Sequence, residues 1–398
     1  MKFLHTSDWH IGRSVRGQSR LSEQEEALQE VLTLAKEHGA DCLLLAGDVF
    51  DTSTPAPEAE ALVYAFFRDL YGAGIPAVVI AGNHDHPKRL DAVAPLLGSL
   101  GIQTRGVARG PGDGALIEVE SRDKRERAVV AALPWINERD IVDFTRLQQE
   151  PGAPLVQYAE RLQEAMRVLA AEFDPDAVSV LVAHLLADEA MVGPGGGERE
   201  LHMSMGIYGV RRAALPVAAQ YIALGHVHKP QEIRCATKAA YSGSLLQLDF
   251  GEREQQKYVN LVEVHARQPA TVTPLPISSG RRLVDVGMPE HGVALNDLAR
   301  FKDETADAWA RVFVDVDMPV ANLAQLVRTE LPNAVHVERA HKAAGSEPES
   351  IERAHLGPVE MFSRFYEGSL GRGHEPSAET LALFRSLLNE EEHATSEA

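Results

Sequence analysis

The sequence predicts an α/β protein in which two sheets pack on each other between flanking helices, followed by a small α+β unit and a helical tail. Three observations predict it. Apolar runs of strand length alternate with segments of helical periodicity from the N-terminus onward, the doubly wound pattern. The main runs end on a glycine or a polar residue, and those ends collect Asp, Asn and His, where open α/β sheets hold their ligands. The composition then changes near residue 280 and again near residue 343.

Residues 2–7 make the first expected strand, which ends in Asp8-Trp9-His10. In extended chain, residues two apart share a face, so Asp8 and His10 reach one ion together. Residues 12–20 follow as a loop carrying Arg13, Arg16 and Arg20 with no acid among them. Beside a metal site, such a loop reads as a contact to a phosphate backbone. Ser22 and Glu25 have the spacing of a capping box. Ala27, Leu28, Val31, Leu32, Leu34 and Ala35 then recur at helical spacing until Gly39.

Leu43-Leu44-Leu45-Ala46 is the central strand, apolar throughout because both its faces are buried. It runs into Gly47-Asp48-Val49-Phe50-Asp51. A helix over 58–71 and a third strand over 75–81 come next, and that strand ends in Gly82-Asn83-His84-Asp85. Asn83 offers a neutral carbonyl oxygen to a metal, and His84 a group that titrates near neutrality.

Residues 87–98 read as a helix, 116–119 and 128–133 as strands around an exposed charged tip, and 160–171 as an amphipathic helix. The strand at 178–183 ends in His184. The Gly-rich stretch 193–197 lacks a phosphate-loop lysine and reads as a mobile loop near the site. The strand at 221–224 leads into Gly225-His226-Val227-His228, two imidazoles on one face. Strands at 239–242 and 258–264 are expected to build a second sheet packed on the first.

From residue 281 to 342 the pattern is a separate α+β unit, with strands at 282–286, 311–317 and 334–338 and helices at 295–301 and 320–331. A polar linker at 343–357 precedes the tail, 358–398. There Val359, Phe362 and Tyr366 share one helical face, and Leu381 and Phe384 belong to a second helix. Two short apolar-faced helices beyond a linker point to docking on another protein.

The 398 residues are 44% hydrophobic and 24% charged, an ordinary globular composition. No apolar run approaches the roughly 20 residues of a membrane span. The N-terminus reads as a strand, not as an export signal. Cys42 and Cys235 give no disulfide framework, so a reducing cytoplasm fits. A net charge of −19 argues against nucleic-acid binding by bulk charge. It leaves room for phosphate held by bound metal and local basic loops.

Asp8, His10, Asp48, Asn83, His184, His226 and His228 together supply three oxygen ligands and four imidazoles. With Asp48 as a bridge they make two sites. Mixed nitrogen and oxygen donors without thiolate suit Mn²⁺, Fe²⁺ or Zn²⁺ over Ca²⁺. Two such ions clamp an in-line displacement at phosphorus. His84 is placed to protonate the leaving oxygen, and Asp51 to orient His84 or steady its loop.

These motifs (D-x-H, G-D-x-x-D, G-N-H-D, a strand-end His and G-H-x-H) resemble those of the calcineurin-like metallophosphoesterases. Residues 7–12, 46–52, 133–134, 223–231 and 241–244 resemble, more closely, the D-subunit family of the bacterial SbcCD nucleases, over about residues 1–265. The resemblance implies a two-sheet sandwich fold over residues 1–280, a DNA-capping domain at 281–342, and C-terminal helices that bind the coiled-coil base of the ATPase partner, the C-subunit of SbcCD. It implies one metal on Asp8, His10, Asp48 and His228, a second on Asp48, Asn83, His184 and His226, and a catalytic His84. It also implies Mn²⁺, a homodimer, and endonuclease action on single strands with ATP-dependent 3′→5′ exonuclease action on duplex ends and hairpins. Archaeal and eukaryotic relatives carry a second histidine where this chain has Asp51. Two other readings use the same ligands: a phosphodiesterase for small nucleotides or other phosphoesters, and an inactive DNA-end-binding scaffold.

Overall fold

The computed structural model describes residues 1–137, 158–188, 190–191, 209–316, 318 and 320–340, with eight further positions between 362 and 384. The chain forms two compact units, residues 1–341 and 342–398.

The first unit is built on two six-stranded sheets. In the first sheet, β1 (Lys2–Thr6), β4 (Cys42–Leu45), β5 (Ala77–Ile80) and β6 (Ile102–Arg105) run parallel. β13 (Lys257–Glu263) and β14 (Thr271–Ile277) complete it antiparallel beyond β1. In the second sheet the parallel centre is β8 (Arg127–Leu133), β9 (Val178–His184), β10 (Tyr221–Gly225) and β12 (Lys238–Tyr241). Its antiparallel edges are β7 (Leu116–Glu120) and β11 (Gln231–Arg234).

Alternate residues of the central strands feed different cores. Cys42, Leu44 and Ala46 meet Val130, Val180, Val182 and Ala223 between the sheets. Leu43 and Leu45 point outward to α1 (Leu21–Glu37), α2 (Pro57–Gly72) and α3 (Pro87–Gly98). The outer face of the second sheet is covered by α4 (Tyr158–Ala170) through Leu162, Met166 and Leu169. Burial on both faces is why these strands read as unbroken apolar runs. No helix among the described residues is long and apolar enough to cross a membrane.

Several expectations are corrected. The strand at 257–263 does not join the second sheet; it pairs with β1 in the first, while the one at 238–241 does lie in the second. β14 has no counterpart among the expected strands, because it carries Pro274 and Pro276. It is an edge strand, and prolines two apart turn the same, unpaired side outward. Residues 12–20 are not an open loop but contain a hairpin, β2 (Ser14–Val15) and β3 (Gln18–Ser19), turning at Arg16 and Gly17 with φ of +48° and +83°. The Ser22–Glu25 capping box does not form: α1 starts at Leu21 after Arg20, without a side-chain cap.

Residues 282–339 form a parallel three-stranded sheet, β15 (Arg282–Val286), β16 (Ala308–Val314) and β17 (Ala334–Arg339). It is covered by a short helical stretch that ends in α5 (Lys302–Thr305) and by α6 (Leu323–Glu330). It has its own core of Val286, Leu298, Ala310, Val312, Val327 and Leu331.

Arg20 is corrected as a DNA-contact candidate, because it fastens this small sheet to the main body. It is 1% exposed, donates to Glu23 Oε2 at 2.8 Å, and also bonds the carbonyls of Gln247 and Arg281. Glu23 further accepts from Arg281 N at 2.8 Å and Trp309 Nε1 at 2.8 Å. A guanidinium held this way has no face left for a phosphate. Val15 of the hairpin packs with Phe250, Leu283 and Val335 at the same junction.

In the second unit the described side chains include Phe362 and Phe384, whose rings stack at 4.2 Å, and Ser377, whose Oγ accepts from Thr380 N at a helix start. Leu381 is half-buried. Val359 and Tyr366, the linker 343–357 and the stretch 193–197 lie outside the described residues.

Burial works against ionisation of Glu23, but Arg20, Trp309 and the Arg281 N–H outweigh it and hold the carboxyl below its ordinary 4.5. A depressed carboxylate contributes stability that is complete above its unfolded pKa and is lost as pH falls towards the folded one. Thermal stability is therefore expected to fall below about pH 4.5, with that part of the slope missing in Glu23→Gln. Arg20→Ala leaves Glu23 without its cation and is expected to cost about 3 kcal/mol in denaturant unfolding at neutral pH.

Candidate metal centre

The C-terminal ends of β1, β4, β5, β9 and β10 converge on one edge of the sandwich. The loops that leave β1 and β4 run side by side, with Asp8 N bonded to Gly47 O, His10 N to Asp48 O and Ile11 N to Val49 O, each at 3.0 Å. This ladder brings the first two motifs together. The end of β10 is tied in by His226 N, which donates to Asp8 Oδ1 at 3.0 Å. The end of β5 is tied in by His84 N, which donates to Asp48 Oδ1 at 2.9 Å.

The seven residues read from the motifs are all brought together here. Asp48 Oδ2 lies 3.5 Å from His10 Nε2 on one side and 3.5 Å from His184 Nε2 on the other. Asn83 Oδ1 lies 3.0 Å from His184 Nε2 and 2.9 Å from His226 Nδ1. Ligand atoms of Asp8, His10 and His228 lie within 4.8 Å of one another, as do those of Asp8, Asp48 and His184, and of His10, Asp48 and His84. Asp8, His10, Asp48, His184, His226 and His228 are almost wholly buried; Asn83 and His84 are half-exposed on the open side.

The chemistry of this donor set fits cations. His184 Nδ1 sits 2.8 Å from Ala46 O, which can only accept, so Nδ1 carries the proton and Nε2 the lone pair. That lone pair then faces oxygens of Asn83 and Asp48. His10 Nε2 and His226 Nε2 are buried without a hydrogen-bond partner. Converging lone pairs and unpartnered ring nitrogens are costly when nothing positive lies between them. Burial lowers the pKa of His10 and of His226, keeping both imidazoles neutral, the form a metal binds. Burial opposes ionisation of Asp48, and the His84 main-chain N–H donated to its Oδ1 favours it.

The backbone is strained in the same place. Asp8, His10 and Asp48 have φ near +50° and His226 +103°, values L-residues rarely adopt. Such strain persists only where the surroundings over-determine it, and it concentrates at functional sites. Asp85 supplies part of that bracing: its carboxylate accepts from Val49 N at 3.1 Å, Phe50 N at 3.0 Å and Gly82 N at 2.8 Å.

The outer candidates separate. His84 Nδ1 donates to the main-chain oxygen of Asp51 at 2.8 Å, while the Asp51 carboxylate faces His10 Nδ1 at 3.3 Å and Arg13 at 3.1 Å. Arg13 is thus already paired, and of the three loop arginines only Arg16 is fully exposed.

Four residues without a role in the motif reading belong to this centre. Asp85 lies inside the G-N-H-D motif. Trp135 stacks on His226 at 5.3 Å and meets His184 edge-on. Glu252 reaches His228 Nδ1 at 3.0 Å, and Lys257 pairs with Glu252 at 2.7 Å. Trp135 lies two residues past the end of β8 but is not a ligand type, and Glu252 and Lys257 lie at no strand-end motif, so only the fold reveals the roles of these three.

A family profile described as calcineurin-like phosphoesterase matches residues 1–230. The chain is 33% identical to the D-subunit of nuclease SbcCD from Bacillus subtilis over 405 residues, covering 99% of this chain and 100% of that one. It is 32% identical to the D-subunit of nuclease SbcCD from Rhodobacter capsulatus, covering 74% and 73% of the two chains. The corresponding Escherichia coli K12 protein is 31% identical, with 66% and 64% covered.

A Cβ added at Gly82 would lie 2.1 Å from Asp48 Oδ1 and 2.4 Å from Asp48 N. Gly82→Ala is therefore expected to displace the shared carboxylate and weaken Mn²⁺ binding roughly ten- to a hundredfold, the scale seen when an oriented ligand is disturbed. Calorimetric titration with Mn²⁺ measures it; unchanged affinity would mean that the loop yields instead.

Proposed function

The chain belongs to the calcineurin-like phosphoesterase family, within it to the D-subunits of SbcCD nucleases, and from that premise we propose that it hydrolyses DNA phosphodiester bonds at a two-metal centre as one component of a larger nuclease. The observation that supports this most is the position of Asp48 Oδ2, equidistant at 3.5 Å from His10 Nε2 and His184 Nε2. In this reading Asp8, His10, Asp48 and His228 hold one ion, and Asp48, Asn83, His184 and His226 hold the other. The donor set suits Mn²⁺. When bound, the two ions acidify a water and neutralise charge on the phosphoryl oxygens.

The protein's own groups do the rest. His84 donates through Nδ1 to Asp51 O, which turns Nε2 towards the open side, where it can hold a proton for the leaving oxygen. Asp51 acts here through its main chain, and its side chain ties Arg13 to His10. So the second histidine of archaeal and eukaryotic relatives is replaced by an orienting residue, not by a second acid. Burial of the ligands and half-exposure of Asn83 and His84 leave one face for an extended substrate.

Arg16, at the tip of the β2–β3 hairpin, supports a DNA backbone running past that face. The small sheet of residues 282–339 is proposed as the capping domain, separated at about residue 280 from the phosphoesterase part. The tail, with Phe362, Leu381 and Phe384 and with Val359 and Tyr366, is proposed to dock on the ATPase partner. A homodimer, a cytoplasmic setting and processing of DNA ends and hairpins in replication, recombination and repair complete the proposal. The same seven ligands would also serve hydrolysis of small phosphodiesters.

Mn²⁺-dependent cleavage of a single-stranded DNA circle is expected, abolished by EDTA. His84→Ala is expected to lower it by about 10²–10⁴-fold with Mn²⁺ binding retained. Turnover of bis-p-nitrophenyl phosphate with no cleavage of DNA would favour the small-substrate reading, and Mn²⁺-loaded protein that binds DNA ends without cutting would favour the scaffold. Arg16→Ala is expected to weaken DNA binding at all sequences alike and to reduce the salt dependence by about one ion, read from a binding titration at several salt concentrations.

A further inference from the structure

The two halves of the centre are not built alike behind their ligands. His184 is oriented by a neutral acceptor, the Ala46 carbonyl at 2.8 Å. His228 is oriented by a carboxylate: its Nδ1 lies 3.0 Å from Glu252 Oε1. Glu252 is 2% exposed and sits at the end of a single helical turn, Phe250–Glu252, whose start is capped by Asp249. Its other oxygen accepts from Leu248 N at 3.1 Å and from Lys257 Nζ at 2.7 Å.

Lys257 is buried too, and every contact of its ammonium is directed at this corner. Nζ donates to Glu252 Oε2, to Ser244 Oγ at 2.9 Å, to Gln255 Oε1 at 2.9 Å, and to the main-chain oxygen of His228 at 3.0 Å. One cation thus holds both the carboxylate behind the His228 ring and the backbone of His228 itself. A buried ion pair is rarely kept for stability alone, since an apolar pair of equal volume serves as well. Here it fixes the Nδ1–H tautomer, aims Nε2 at Asp8 and His10, and raises the basicity of the ring.

Resting on the two-metal reading, we infer that Glu252 and Lys257 are positioning residues that make the centre unequal, so that the Asp8–His10–Asp48–His228 half takes its ion more tightly. That half has two carboxylates and a carboxylate-backed imidazole. The other shares one carboxylate and completes its set with the amide oxygen of Asn83 and with imidazoles that no carboxylate backs among the described contacts. The centre therefore fills in a fixed order, and the half containing Asn83, nearer the open side, gains its ion second.

The test is an Mn²⁺ titration of the full chain, with free Mn²⁺ followed by its electron paramagnetic resonance signal. The unsubstituted chain should bind two ions in two affinity classes. Glu252→Gln, which keeps shape and removes charge, should weaken the tighter class about tenfold or more and leave the weaker class within about threefold. Combined with His228→Gln it should add nothing to the loss caused by His228→Gln alone, the mark of a residue acting through that ring. Should Glu252→Gln fail to fold, Glu252→Asp must show the same selective weakening. Equal weakening of both classes, or losses that add, would overturn the inference and leave the metal centre standing. Fewer than two ions on the unsubstituted chain would overturn the two-metal reading and this inference with it.

Discussion

The structure depends on keeping one carboxylate, Asp48, ionised in a place where water does not reach it. Burial alone would neutralise it. The His84 main-chain N–H donated to one oxygen favours the charge, and the other oxygen points between two imidazole nitrogens, where a cation bound by all three would complete the compensation. Each of those partners arrives from a different strand end. Moving any one sheet relative to the other would separate them, so the packing of the sandwich and the charge state of Asp48 are one constraint.

That constraint explains the backbone around it. Four residues of the centre are held at positive φ, and Asp85 braces the loop that holds one of them, Asp48. Asp85 is itself pushed up in pKa, by burial first and by the charge of Asp48 second. Gly82 is needed for close contact, and Gly47 both for contact and for its φ of +93°. A side chain at Gly47 would meet the His184 ring at 2.3 Å, and one at Gly82 would meet Asp48. A close-packed set of ligand loops leaves the ring nitrogens no route to water, which is why they remain available to a metal.

The small sheet is linked to the same region by polar contacts and by a small apolar cluster of Val15, Phe250, Leu283 and Val335. Arg20 and Glu23 lie at the start of α1, directly after the hairpin that carries Arg16, and they bond to Gln247, Arg281 and Trp309. Val15 of that hairpin packs on Phe250, two residues before Glu252. The hairpin, the small sheet and the turn behind His228 therefore meet at one junction.

Much of this is legible in the sequence. Apolar runs followed by Gly-Asp, Gly-Asn-His and Gly-His-x-His name both the strands and their tips, because strand periodicity and the chemistry of a strand end are local properties. The helices at 57–72 and 87–98 are legible for the same reason. Arg20 misleads: a basic residue in a polar stretch looks solvated until Glu23, Gln247 and Arg281 close around it. The sheet that takes 257–263, the proline-bearing edge strand at 271–277, and the support of His228 by Glu252 and Lys257 are not legible at all. The first depends on pairing across more than two hundred residues and the third on a fold that brings 252 and 257 against His228, neither of which marks the local order of side chains; the second is masked by its own prolines. The chain by itself determined the ligands and the strands that carry them; tertiary packing decided which face each ligand presents, what stands behind it, and which charges are left for a substrate.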